Sequence, residues 1–205
     1  MHSSFREKQA RFYAKALDLP NINFSNKNLA HLTLYSWAST MLPKGLIIDI
    51  GSEMGFGLKL LEREDRQVIG LDLDYSALNF SYKKNGSSPT IFHLFGDFEQ
   101  IPLPDKSIDG ICLINTLHMA SNPHRLLEES ARILRKDHPI IIAIPTDYNL
   151  PTQWKEEGGL SNLTTMLKEV FRNVDFPSNE EVFGRQPFLF WNKFKPNLVI
   201  SICYH

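Results

Sequence analysis

A short apolar stretch that runs directly into a glycine-rich turn is the feature that most restricts how this chain can fold. Stretch and turn span Leu46–Gly57, and the apolar part is rich in isoleucine. Gly51 and Gly55 allow the backbone to turn sharply and to approach a ligand closely. A helix that begins after such a turn presents unpaired N–H groups to a polar ligand. The pattern therefore indicates a strand, a turn and a helix that together form a nucleotide-type ligand site.

A second buried-strand pattern lies where such a site needs a carboxylate. The run Gln67–Asp72 places Asp72 at a strand end, 21 residues after Gly51. In α/β folds that bind nucleotides, an acidic residue at about this distance binds the ribose hydroxyls. The structural alternative for Asp72 is a helix cap, but Asp74 and Ser76 stand nearer to the next helix. We therefore expect Asp72 to belong to the ligand site.

Strand and helix patterns alternate through the centre of the chain. Apolar strands are predicted near residues 46–50, 67–73, 90–96, 109–115 and 139–145. Helices are predicted near residues 55–65, 75–84 and 122–136. Alternation of this kind requires a parallel sheet with right-handed crossovers. The predicted fold class is α/β, with a mostly parallel sheet flanked by helices.

Two helices are predicted before this core. A capping box at Ser4–Glu7 begins the first, which stops before Pro20. The second covers Asn28–Leu42, because apolar residues recur there at helical spacing.

The pattern changes after residue 145. Residues 147–160 contain a proline and two glycines and are predicted to be a loop or lid, followed by a helix around Leu163–Phe171. Two apolar runs near 187–191 and 197–204 predict a closing antiparallel hairpin. We expect one domain, with a helical cover at 1–45, the ligand-binding core at 46–145, and the lid, helix and closing strands at 146–205.

Composition is consistent with this reading and excludes several classes of protein. The 205 residues, 42% of them hydrophobic, suffice for one α/β domain with a full-sized core. No apolar run approaches the ~20 residues that span a bilayer, and the N-terminus lacks a signal-peptide core, so we expect a cytoplasmic protein. Cys112 and Cys203 fall in predicted strands, which favours buried thiols over a disulfide or a metal site. A net charge of −1 gives no attraction to nucleic acid.

A third block makes the order of these motifs resemble a known family. The block Gly96–Asp109 reads GDFEQIPLPDKSID, and a hydrophobic strand and the pair Leu117–His118 follow it. In order and spacing, the three blocks resemble the class I S-adenosylmethionine-dependent methyltransferases, in particular their small-molecule, type 11-like branch. The resemblance implies a Rossmann-like sheet of seven strands with the last strand antiparallel, here with an N-terminal helical extension. It also implies S-adenosyl-L-methionine as cofactor and a small-molecule methyl acceptor as partner.

The resemblance assigns roles to residues at the strand ends. The turn from Asp49 through Gly55 would face the amino-acid part of the cofactor, and Asp72 would accept hydrogen bonds from both ribose hydroxyls. Asp97 and the backbone at Phe98 would bind the adenine edge. The full set of expected cofactor-binding residues is Asp49, Gly51, Ser52, Gly55, Asp72, Leu73, Asp97, Phe98, Ile114 and Asn115. Asp49 and Asp97 also have structural alternatives, as a partner of loop amides and as an ordinary turn residue.

One residue departs from the family pattern. Glu53 stands where the family's Asp-x-Gly-x-Gly-x-Gly turn has its middle glycine. A carboxylate there either weakens binding by repelling the cofactor's own carboxylate, or turns toward the cofactor's ammonium group or to solvent. A non-catalytic, methyltransferase-like binding or regulatory subunit is therefore the alternative function. A nicotinamide-dependent oxidoreductase is disfavoured because the turn lacks the last glycine of a dinucleotide motif.

The amino-acid sequence does not identify the methyl acceptor or the catalytic base. A sulfonium methyl is already activated, so orientation supplies most of the acceleration. Oxygen or amine acceptors that lose a proton need a base, whereas thiolates or carbanions need none. The candidates for such a base are His118, Tyr35, His31, Asp147 and Tyr148.

Overall fold

The computed structural model describes residues 26–145, 162–183 and 198–204. The predicted first helix, the predicted lid at 147–160 and the predicted strand at 187–191 lie outside these ranges. Within them, none of the helices has the length and apolar character needed to cross a membrane.

Seven strands form one sheet in the order β3-β2-β1-β4-β5-β7-β6. Their bounds are β1 Gly45–Ile50, β2 Arg66–Asp72, β3 Ile91–Phe95, β4 Gly110–Ile114, β5 Pro139–Pro145, β6 Asn173–Asp175 and β7 Leu198–Tyr204. β1 to β5 are parallel, and β7 runs antiparallel to both of its neighbours, β5 and β6. The prediction of a mostly parallel, seven-stranded Rossmann-like sheet is confirmed, and so is the antiparallel last strand.

The edge of the sheet next to β7 differs from the sequence prediction. β6 pairs with residues 202–204 of β7, whereas the sequence predicted no strand at 173–175. This strand is only three residues long and mostly exposed, so it carries no apolar run that a sequence pattern could detect.

Six α-helices surround the sheet within the described residues. They are α1 Asn26–Met41, α2 Leu58–Leu61, α3 Tyr75–Asn85, α4 Pro123–Ile133, α5 Leu163–Val170 and α6 Asn179–Phe183, with a 3₁₀ turn at Leu117–Met119. α4 begins as the sequence predicted, because the Asn122 side chain accepts a hydrogen bond from the backbone N–H of Arg125. Residues 134–136, which were predicted to be helical, lie beyond its end.

The predicted helix near 55–65 is wrong in length. Only four residues, Leu58–Leu61, form α2. The start is delayed because Gly55 has a left-handed φ of 74°, which no helical residue adopts. The end comes early because Glu62 is extended. The glycine-rich turn is therefore longer than predicted.

Alternating side chains of the strands form a hydrophobic core on each face of the sheet. On one face Ile48, Ile111 and Ile142 pack with α4 and α5. On the other face Ile47 and Val68 pack with α1 and α2. Because strand order reverses between β1 and β4, a crevice forms outside their carboxyl ends, which is where open α/β sheets bind ligands.

Candidate active site

A cavity of about 600 Å³ opens at this reversal point. Its volume lies within the range of small-molecule and cofactor sites. The segments that follow β1 and β2 contribute Gly51, Ser52, Glu53, Asp72, Leu73 and Asp74. The opposite wall comes from α1, the turn before α2, α2 itself and the 3₁₀ turn, and it includes His31, Leu32, Tyr35, Phe56, Leu60 and Met119. The rest of the lining includes Phe98, Ile114, Asn115 and Thr116.

The turn after β1 is held tightly against its neighbours. Gly51 has a φ of 77°, and its N–H donates to the carbonyl of Leu71 at 2.8 Å. A Cβ at this position would lie 2.3 Å from Oγ1 of Thr116, whose hydroxyl donates to the carbonyl of Ile50. Gly51 is thus required both by its backbone conformation and by the close approach of Thr116. Sequence analysis missed Thr116, because only the packing of β4 beside β1 brings it to the turn.

Glu53 and Asp72 meet at the mouth of this turn. The N–H of Glu53 donates to Oδ2 of Asp72 at 2.7 Å, and the N–H of Asp74 donates to Oδ1 at 2.9 Å. Glu53 is exposed and adopts a left-handed φ of 45°. That conformation normally favours glycine, so Glu53 occupies a backbone position that suits the family's glycine. Asp74 caps α3, as the sequence predicted, which leaves Asp72 free of that role.

Asp49 lies beneath the turn and is fully buried. The hydroxyl of Tyr35 donates to its carboxyl group, with 3.0 Å to each oxygen. Burial raises the pKa of Asp49 to about 8, the Tyr35 hydrogen bond partly offsets this, and the charges of Asp72 and Glu53 add to it. Burial and the neighbouring Asp49 also hold the pKa of Tyr35 well above its usual range. The Tyr35 hydroxyl therefore keeps its proton at neutral pH and donates it in the hydrogen bond to Asp49.

Seven of the ten residues predicted to bind the cofactor line the cavity, namely Gly51, Ser52, Asp72, Leu73, Phe98, Ile114 and Asn115. Asp49 and Gly55 do not line it. Gly55 packs instead on α3, where a Cβ would lie 1.9 Å from Oγ of Ser81. Asp97 is exposed beside the cavity, and its carboxylate accepts a hydrogen bond from the N–H of Glu99.

Two of the candidates for a catalytic base, Tyr35 and His118, differ in their position relative to the cavity. Tyr35 lines the cavity, with its hydroxyl on Asp49. His118 is buried in the 3₁₀ turn and does not line the cavity, whereas its neighbour Met119 does. Among the other candidates, His31 lines the cavity, and Asp147 and Tyr148 lie outside the described residues.

The loop that carries Phe98 is fixed by an ion pair from α4. Arg132 donates to the carbonyls of Ile101 at 2.8 Å and Leu103 at 2.9 Å. Glu129, which pairs with Arg132, accepts the N–H of Ile101 at 2.8 Å. These bonds tie the backbone of the Gly96–Asp109 block, which carries Phe98, to α4.

The ionisable side chains that line the cavity in the described part of the chain are acidic or neutral. Glu53, Asp72 and Asp74 are acidic, and neither lysine nor arginine is present among these lining residues. Such a wall attracts a cation and repels an anion.

Comparison with known proteins shows that the core of this chain is similar to methyltransferases. A methyltransferase domain family (type 11) matches residues 48–142. The chain is 28% identical over 123 residues to the phthiotriol/phenolphthiotriol dimycocerosates methyltransferase of Mycobacterium tuberculosis, a match that covers 58% of this chain and 45% of that protein. It is 30% identical over 91 residues to the fatty-acid O-methyltransferase of Mycolicibacterium smegmatis, with 43% and 33% covered. These matches span less than half the length of either relative.

A solved structure is similar to nearly the whole chain. It is a SAM-dependent methyltransferase from Aquifex aeolicus, with a TM-score of 0.62, 19% identity and 98% of each chain covered. At this identity the likeness shows the fold, which agrees with the family match to the core. The family implies S-adenosylmethionine as the cofactor. The core of the chain, residues 48–142, thus matches the methyltransferase domain family, and the chain has the fold of the S-adenosylmethionine-dependent methyltransferases.

Proposed function

We propose that this chain transfers the methyl group of S-adenosylmethionine to an apolar small-molecule acceptor. The observation that carries the proposal is one cavity lined both by the strand-end groups and by large apolar side chains. Leu32, Phe56 and Leu60 lie on this wall, and Met119 remains 67% exposed beside them. A partly exposed apolar wall of this kind suits an apolar ligand. The names of the two mycobacterial relatives, one a fatty-acid O-methyltransferase, support the same class of acceptor.

The residues present fit the cofactor. Each oxygen of Asp72 accepts one backbone N–H, and a carboxylate has about four lone-pair positions, so two remain for a ribose diol. Ser52 Oγ is buried and has no hydrogen-bond partner among the described residues, which leaves it available to a ligand. The acidic wall of Glu53 and Asp74 suits a ligand that carries sulfonium and ammonium charges.

The proposed roles follow from these positions. The cofactor supplies an activated sulfonium methyl group. Asp72 accepts from the ribose hydroxyls, and the turn at Gly51 faces the amino-acid part. Leu73 and Phe98 cover the base, and Asp97 binds the adenine amino group. Ile114 and Asn115 border the reacting methyl group, so the chain accelerates the reaction chiefly by orienting it.

Calorimetric titration with S-adenosylhomocysteine tests the cofactor site, with NADH as the control ligand. We expect S-adenosylhomocysteine to bind and NADH not to bind. Asp72→Ala removes two acceptor oxygens from the ribose and weakens binding by about 2–4 kcal/mol, whereas Asp65→Ala, at an exposed position with the same charge, leaves binding unchanged. Equal binding by the two variants would contradict the role of Asp72.

A second titration separates the enzyme from a non-catalytic binding subunit. If Glu53→Gly binds S-adenosylhomocysteine and the wild type does not, Glu53 has closed the site and the enzyme proposal fails. If the wild type binds, radiolabelled S-adenosylmethionine and a mixture of apolar compounds test the acceptor class. We expect the radiolabelled methyl group to appear in the organic extract rather than in the aqueous phase.

A further inference from the structure

Among the histidines in the described part of the chain, His31 is the one that lines the cavity, and its ring packs against Tyr35. It lies one helical turn before Tyr35 on α1, and the two rings meet edge to face with centroids 5.0 Å apart. Tyr35 is itself fixed, because its hydroxyl donates to Asp49 and its ring lies against Gly57. The imidazole of His31 is therefore held against Tyr35 at the wall of the cavity.

The His31 ring has an acceptor nitrogen that no described group uses. Nε2 is buried without a hydrogen-bond partner among the described residues. Burial lowers the pKa of His31 below its usual value, so the ring is neutral at pH 7. A neutral imidazole has one nitrogen that can accept a proton, and a buried acceptor left unpaired costs about 1–3 kcal/mol. A ligand that donates a hydrogen bond to Nε2 would remove this cost.

The charges around the cavity select the kind of acceptor. Glu53, Asp72 and Asp74 line the same wall without a lysine or arginine among the described lining residues. A carboxylate acceptor would enter this field with no described cation to balance it, whereas a neutral hydroxyl meets no such repulsion.

We propose that the methyl acceptor of this chain is a neutral hydroxyl group on an apolar molecule and that His31 Nε2 accepts its proton. The inference rests on the proposed function and deepens it. The acceptor oxygen forms a bond to the methyl carbon while the carbon–sulfur bond breaks, and that electron pair stays on sulfur. The hydroxyl proton goes to Nε2, so the positive charge of the sulfonium is replaced by that of an imidazolium. The products are a methyl ether and a neutral thioether.

Several titratable groups lie on the elements around His31. Tyr35, Glu53, Asp72 and Asp74 share the cavity wall, and Asp49 lies behind Tyr35. The helices packed on α1 carry Lys59 and Glu62 on or beside α2, and Glu180 and Glu181 on α6. The lowered pKa of His31 has burial as its cause.

A matched pair of probes tests the acceptor class without turnover. 4-Pentylphenol and 4-pentylbenzoate share a ring and tail and differ in the hydroxyl and the carboxylate. With S-adenosylhomocysteine bound, we expect 4-pentylphenol to bind and to shift the His31 ring signals in NMR spectra. 4-Pentylbenzoate should bind about tenfold more weakly, because like charges a few ångströms apart cost on the order of 1 kcal/mol even in water.

Turnover then tests the base. With S-adenosylmethionine and 4-pentylphenol, His31→Asn should lose about 10²–10⁴-fold in kcat. His31→Gln is a second variant in case the first fails to fold, and His124→Asn, at a partly exposed position on α4, is the control. Wild-type kcat/KM should fall as pH falls through the pKa of His31, and the histidine variants should lose this acidic limb. Their affinity for S-adenosylhomocysteine should stay unchanged.

The outcomes separate this inference from the proposed function. A wild type that does not bind S-adenosylhomocysteine overturns both. In a second outcome, the cofactor binds normally while 4-pentylbenzoate binds more tightly, or is methylated faster, than 4-pentylphenol. That result overturns the hydroxyl acceptor alone. Normal cofactor binding with no shift of the His31 signals by 4-pentylphenol overturns the inference as well, as does wild-type turnover in a folded His31 variant.

Discussion

The backbone N–H of Glu53 donates a 2.7 Å hydrogen bond to Oδ2 of Asp72, which links the turn after β1 to the end of β2. The bond depends on the left-handed φ of 45° at Glu53. The side chain itself is exposed and not needed for the bond. The glutamate therefore preserves the backbone of the glycine-rich turn at a cost in conformational energy.

Replacing this residue should stabilise the protein without loss of the site. A left-handed non-glycine residue costs about 1–2 kcal/mol, and the greater freedom of glycine in the unfolded chain returns about half of that. We expect Glu53→Gly to raise the free energy of unfolding by about 0.5–1 kcal/mol in urea titrations. Lys106→Gly is the control. Lys106 has a similar left-handed φ of 52°, but it lies away from the cavity. A loss of stability in Glu53→Gly would show that its side chain contributes a contact.

The buried Asp49 should make stability fall as pH rises. The folded state holds the Asp49 proton up to a pKa of about 8, whereas the unfolded state releases it near 3.9. The folded state thus binds more protons between these values, so this contribution is complete below pH 3.9 and is lost as pH rises to about 8. Asn at position 49 does not titrate and still accepts from Tyr35.

Urea titrations at pH 5, 6, 7 and 8 measure this effect. We expect the stability of Asp49→Asn relative to wild type to increase by about 1 kcal/mol per pH unit over this range. Asp65→Asn removes an exposed carboxylate in the segment before β2 and is the control. Parallel pH profiles for wild type and Asp49→Asn would contradict a proton held on Asp49.

Gly57 should be sensitive to the smallest side chain. A Cβ there would lie 2.1 Å from Cε1 of Tyr35, although the backbone of Gly57 has an ordinary helical φ of −71°. Only the clash therefore opposes alanine, and overpacking of this kind costs about 1–3 kcal/mol. We expect Gly57→Ala to destabilise the protein by that amount. In a Tyr35→Ala background the same change should cost much less, and equal costs in the two backgrounds would exclude the clash as the reason.

Arg66 should not tolerate lysine. Its buried guanidinium donates to the carbonyls of Pro43 at 2.9 Å and Leu61 at 3.0 Å, and also to the carbonyls of Ser39 and Leu42. It thereby joins the C-terminal ends of α1 and α2, whose last carbonyls lack helical partners. One ammonium group cannot reach all four, so we expect Arg66→Lys to destabilise the protein by about 2–4 kcal/mol.

Thermal unfolding measures this loss, with Arg63→Lys as the control at an exposed position in the same segment. Similar melting temperatures for the two variants would show that the carbonyl contacts of Arg66 contribute little to stability.

The order of strands and helices could be predicted from the sequence because each central strand is a short, nearly continuous apolar run. Strands buried on both faces need this pattern, and glycine or acidic residues mark their ends. The fold class and the family were therefore predicted correctly. Exposed β6 was not predicted, because its pairing comes from β7, about 30 residues further along the chain.

The residues that end the strands could be predicted from the amino-acid sequence, and a parallel sheet brings all of these carboxyl ends to one edge. The contacts that those residues make came from the packing of the folded chain. This packing paired Asp49 with Tyr35, gave one oxygen of Asp97 a hydrogen bond from the Glu99 N–H, and placed His31 on the cavity wall while His118 lies off it. These outcomes depend on how α1 crosses the end of β1 and how the segment after β4 packs on the turn. Contacts between residues far apart in the chain leave no periodic signal in the sequence, so packing rather than local pattern assembled the site.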